Sequence, residues 1–187
     1  MKHIKVLGVL SGVVPWLSIL TSIALSPWFN VYGNALSDLG NIGRNSPVAY
    51  VFNAGLMVSG VLVGSFAFLL SIRRRSWEFL IWTIPLFLSA ADLALIGVFS
   101  EDAGSIHGVV SVIFFALIAI TSLIYSYASW PLGSPRIGAV SLFFGIASVF
   151  VWFVPWPWRG VAIQEAATSL MATIWLILVS LRSIELQ

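Results

Sequence analysis

The chain has 187 residues, of which 59% are hydrophobic and only 9% charged, with a mean hydropathy of +1.02 and a net charge of +2. A soluble domain carries roughly 25% charged residues, so this composition excludes a water-soluble globular protein and points to an integral membrane protein. The sequence contains no cysteine, which removes disulfides, thiol nucleophiles, iron–sulfur clusters and thiolate metal sites.

Six apolar runs can be cut out, at about 5–26, 47–72, 77–99, 108–129, 137–154 and 161–181. Each meets or approaches the ~20 residues that a helix needs to span a bilayer. The runs are continuous rather than alternating, which argues against a transmembrane β-barrel. The expected fold is one compact, all-α bundle of six transmembrane helices. Lys2, Lys5, Arg73, Arg74, Arg75, Arg136 and Arg182 fall on one side of that topology, and only Arg44 and Arg159 on the other. The positive-inside rule then predicts cytoplasmic N- and C-termini and a multi-pass protein of the plasma membrane. No basic soluble surface exists for nucleic acid.

In chain order, the first run follows Lys2 and Lys5 and exceeds the usual length of a signal-peptide core, so it reads as a retained helix, kinked at Pro15. The first outer loop, Trp28 to Ser46, is rich in Asn and Gly, which predicts turns and left-handed backbone. Pro47 fits the first turn of the second helix, with Asn45 or Ser46 as its cap. Gly60 and Gly64 in that helix form a small-xxx-small pair suited to close helix packing.

The third helix carries Pro85, Ser89 and Asp92. A lone carboxylate in a span is expensive and marks a functional site by default. At ~1.5 Å of rise per residue, Asp92 lies about 10 Å below the outer boundary and Asn53 about 9 Å below it. Glu101, Asp102 and His107 occupy the second outer loop and the start of the fourth helix, with Ser111 one turn deeper. The last loop holds Trp152, Trp156, Trp158 and Arg159, which read as an interfacial aromatic belt with a basic residue. Glu165, Ser169 and Thr173 then form an i, i+4, i+8 stripe on the sixth helix.

These polar groups gather toward one side of an apolar bundle, which predicts an outward-facing crevice under a loop lid. Asp38, Asn53, Asp92, Glu101, His107, Arg159 and Glu165 are its candidate ligand-binding residues. The leading expectation is binding of a membrane lipid or other amphiphile. A second is a lipid hydrolase or transferase, with His107 and a carboxylate, Asp92 or Glu101, as acid–base pair. A third is an accessory or scaffold subunit with a membrane-protein partner, or a homo-oligomer. Two histidines on opposite sides supply neither a zinc site nor a bis-histidine haem, so no metal or cofactor is expected.

Ser37-Asp38-Leu39-Gly40, Phe52-Asn53-Ala54-Gly55-Leu56, Gly97-Val98-Phe99-Ser100-Glu101 and His107-Gly108 with Phe114-Phe115 together form a recognisable set. It resembles the six-span bacterial and archaeal membrane family labelled domain of unknown function 998, most distinctly over the first four helices. The resemblance also implies a distant relation to the Frag1/DRAM/Sfk1 group of eukaryotic six-span proteins, which are linked to lipid remodelling and membrane organisation. The resemblance implies Asp38, Asn53, Glu101 and His107 as signature residues.

Overall fold

The computed structural model describes residues 2–182. Its long helices are α1 (Lys2–Ala24), α3 (Val48–Arg73), α4 (Trp77–Val98), α5 (Ser105–Ala128), α6 (Pro135–Phe153) and α7 (Ala162–Arg182). A short helix, α2 (Ile42–Asn45), and two 3-10 turns, Leu36–Gly40 and Glu101–Ala103, lie in the connections. All six long helices are long and apolar enough to cross a membrane. Inside hydrocarbon a backbone amide has no water to bond, so helices satisfy their own polar groups. The chain is a multi-pass membrane protein.

Successive long helices pack on one another, and α7 returns to pack on α1, closing a ring. Six crossings leave both described ends on one side, together with the turns at 74–76 and 129–134. The opposite, loop end carries residues 25–47, 99–104 and 154–161. Without a hydrophobic drive between helices in lipid, close approach comes from small residues. A Cβ on Gly60 would stand 2.6 Å from the Ala90 carbonyl oxygen, so this glycine serves contact between α3 and α4 within the bundle. On α6 the buried positions are Gly138, Ser141, Gly145 and Ser148, one every three or four residues. Its Phe143, Phe150 and Phe153 are exposed on the outer surface, where lipid would lie.

Two buried clusters fill the bundle. The terminal half holds Trp82, Tyr125 and Trp175, edge-to-face with centroids 5.0, 5.8 and 6.4 Å apart. Trp175 Nε1 donates to Ser141 Oγ at 2.9 Å, tying α7 to α6. The loop half holds Leu39, Phe52, Ile96 and Ala162 among others.

The loop end departs from the sequence expectation. None of the Asn and Gly residues of the first loop takes a positive φ; among the described residues only Gly104 and Gly133 do. The loop instead coils into helical turns held by side chains. Asn41 caps α2 by accepting from the Arg44 amide, and Asn45 reaches the Leu39 carbonyl while accepting from Ser26 and Trp28. Pro47, after a cis Ser46–Pro47 bond, is itself the N-cap of α3, in place of Asn45 or Ser46. α5 begins at Ser105, a turn earlier than the apolar run suggests, because positive-φ Gly104 redirects the chain into it.

Candidate functional site

A cavity of about 100 Å³ lies inside the ring, lined by α1, α3, α4, α5, α7 and the 3-10 turn Leu36–Gly40. α6 supplies none of its lining residues. At the loop end its wall carries Ser37, Ser111 and Glu165; farther in come Trp16, Leu93, Phe114, Ser169 and Thr173. Its deepest residues, Val63, Ala90, Ile118 and Leu176, belong to the same packed cluster as Trp82, Tyr125 and Trp175. From Glu165 to Leu176 the helical rise gives a length of about 16 Å. The volume is below that of the ~150 Å³ apolar cavity that holds one benzene ring, so the space is narrow.

The stripe read from α7 is confirmed in place: Glu165, Ser169 and Thr173 all face this cavity. Trp16 Nε1 donates to Thr173 Oγ1 at 3.0 Å, linking α1 to α7 across its wall. Glu165 is 8% exposed, and one of its oxygens accepts from the Leu36 amide at 2.5 Å.

Beside Glu165 sits His107, 5% exposed in the first turn of α5. Its Nδ1 lies 2.7 Å from the Phe99 carbonyl oxygen. A carbonyl only accepts, so Nδ1 carries a proton, and the ring ties the start of α5 to the end of α4. Its Nε2 lies 3.0 Å from Glu101 Oε2 and 3.3 Å from Ser111 Oγ. The Glu101 oxygen is off the line of a hydrogen bond, so that contact is electrostatic, and a proton on Nε2 matches the carboxylate. The contact with His107 is the largest influence holding the Glu101 carboxyl below the usual carboxylate range, against partial burial.

The remaining polar residues build the lid. Asp38 accepts from Asn34 Nδ2 at 2.7 Å and from the Ala35 amide at 3.2 Å. Asn53 donates to the Gly40 carbonyl at 2.9 Å. Asp102 accepts from the Ile42 and Gly43 amides at the start of α2, and these bonds hold its carboxyl low. Gly160 and Ala162 amides donate to the Tyr32 and Asn34 carbonyls, so all three connections are bonded into one layer. Arg44 stacks over Trp28, 3.8 Å from the ring centre. Trp158 packs on Trp156 and Tyr32 in this layer, and none of these aromatic residues lines the cavity.

The structure therefore divides the seven candidates of the expected crevice. Glu165 faces the cavity, with His107 and Glu101 beside it; Asp38 and Asn53 are tied into the lid. Arg159 is exposed and makes no hydrogen bond or ion pair with the described residues, Glu165 included. Asp92 is buried on α4 with Oδ2 unpartnered. It lies ~100° round the helix from Leu93 and outside the cavity lining. No group of three metal-ligating side chains occurs among the described residues. Sequence reasoning missed the cavity walls and the aromatic cluster. The α7 stripe was the signal for the former, and nothing in the separate positions of Trp82, Tyr125 and Trp175 announced the latter.

The family model described as protein of unknown function (DUF998) matches residues 9–182. The chain belongs to that family. No curated protein and no solved structure matches it.

Proposed function

We propose that this DUF998 protein binds the single aliphatic chain of a membrane amphiphile in its central cavity, with the polar end at Glu165. The observation that carries the reading is a narrow apolar cavity lined by five membrane-spanning helices, with one buried carboxylate at its loop end. Lateral packing alone needs no such space. A scaffold role would be served by a filled bundle, and voids in protein interiors are few. His107 and Glu101 stand next to the polar end, and the Leu36 amide orients Glu165. Trp82, Tyr125 and Trp175 limit chain length at the other end.

The basic residues support an orientation with the loop end outside the cell and both termini in the cytoplasm: seven lie at the terminal end and two, Arg44 and Arg159, at the loop end.

The test is scintillation-proximity binding of tritiated dodecanol to purified protein in detergent. Wild type binds saturably, and Ala172→Phe, which places a ring in the cavity, weakens binding about tenfold or more, the loss of roughly 1.4 kcal/mol or above. Equal binding by the two proteins would remove the cavity from consideration.

A further inference from the structure

The cavity also selects the charge of the polar end, an inference that rests on the chain-binding reading. We propose that its ligand carries a cationic amine, so that the bound molecule is a single-chain aliphatic amine rather than an acid or phosphate.

The lining contains one ionisable side chain, Glu165, and no lysine or arginine. Its other polar groups are hydroxyls, of Ser37, Ser111 and Ser169 among others, and the indole N–H of Trp16, which is bonded to Thr173. The charged groups that face Glu165 electrostatically are Glu101, His107 and Asp38. The proton of His107 is already matched by Glu101 at 3.0 Å. Asp38 adds negative charge and is held by Asn34 and the Ala35 amide. Arg159, the basic residue nearest in sequence, is exposed and bonded to none of them. Glu165 is thus a buried acidic side chain at a cavity wall whose only hydrogen-bond donor among the described residues is the Leu36 amide, on one of its two oxygens.

A buried carboxylate without a paired cation is strongly disfavoured, and it either takes up a proton or pairs with a cation that a ligand brings. An ammonium group at the cavity mouth supplies the missing charge and up to three donors, and charge-assisted bonds are about twice as strong as neutral ones. The Ser37 and Ser111 hydroxyls can accept the remaining protons. A carboxylate or phosphate head would meet two or three negative side chains, with His107, already matched by Glu101, as the one facing cation. Chain and head then fit together: one narrow apolar channel, with an acidic end.

The experiment is displacement of tritiated dodecanol by dodecylamine, unlabelled dodecanol and dodecanoate at pH about 7, where a primary amine is charged. Dodecylamine is expected to displace at about tenfold lower concentration than dodecanol, with dodecanoate weakest. Glu165→Gln, its fold checked by near-UV circular dichroism, should bind dodecylamine no better than dodecanol. Dodecanoate displacing as well as the amine, or an amine advantage that survives in Glu165→Gln, overturns the charge assignment and leaves the chain site standing. Failure of wild type to bind dodecanol at all defeats the cavity reading itself, and this one with it.

Discussion

Trp175 is the residue whose replacement most sharply tests how the cavity is closed. It is fully buried, makes edge-to-face contacts with Trp82 and Tyr125, and donates to Ser141. In lipid the transfer of the side chain out of water contributes little, so the packing terms decide. Two aromatic pairs at about 0.5–1.5 kcal/mol each and one interhelical hydrogen bond at about 0.6 kcal/mol give a loss of about 2–4 kcal/mol for Trp175→Ala. For a chain of this size that is a fall in Tm of about 4–16 °C. Trp175→Phe, which keeps a ring and loses only the bond to Ser141, should cost about 0.6 kcal/mol, or about 1–3 °C. Unfolding in mixed detergent micelles, followed by near-UV circular dichroism, measures both. The same Trp175→Ala protein has a deeper cavity, so its preference among alkanols should move toward longer chains. A fall in Tm below about 2 °C for the alanine variant, or an unchanged chain-length preference, would show that these rings are not the floor.

Three further outcomes are expected. Glu101 and Asp102 both have carboxyls held low, Glu101 first through His107 and Asp102 through the Gly43 and Ile42 amides. A depressed folded value gives stability that is complete above the ordinary carboxylate range and lost as pH falls through the folded value. Thermal stability should therefore fall below about pH 4. Asp102→Asn and Glu101→Gln should each flatten that acid limb, and melts across the range decide it. Gly160→Ala would place a Cβ 2.5 Å from the Asn34 amide nitrogen; overpacking of this kind costs about 1–3 kcal/mol, and faster deuterium uptake around Asn34 is its readout. Because the sequence has no cysteine, single cysteines report topology cleanly. Gly33→Cys, in open space, should react with an impermeant maleimide on intact cells, and Ser76→Cys, in an exposed turn at the terminal end, only after lysis. The reverse pattern would invert the orientation.

The six helices were legible in the sequence because crossing hydrocarbon demands long apolar runs, and that demand acts residue by residue. Their ends were less so. The start of α5 depends on Gly104 and on His107 bonding the Phe99 carbonyl, both tertiary facts. The 3-10 turn Leu36–Gly40 and α2 were read as turns from their Asn and Gly content; they coil because Asn53 and Asp102, distant in sequence, bond their backbone. The site was half legible. Glu165, Ser169 and Thr173 share a helix face at a spacing that sequence alone displays. Asp92 drew attention by its cost, yet it is a neighbour of the cavity-facing Leu93 on the helix rather than a member of the cavity. Cavity walls such as Leu93 and Phe114 look like any lipid-facing residue until the helices are placed.

α6 touches lipid and two neighbouring helices and lines no part of the cavity. Its sequence therefore answers to a different constraint from the other five spans. Drift at Phe143, Phe150 or Phe153 meets only fluid acyl chains, and drift at Gly138 or Gly145 meets a tight steric limit. Neither touches the cavity. Evolution can retune this helix to a thicker or thinner bilayer while the cavity stays fixed by the remaining spans.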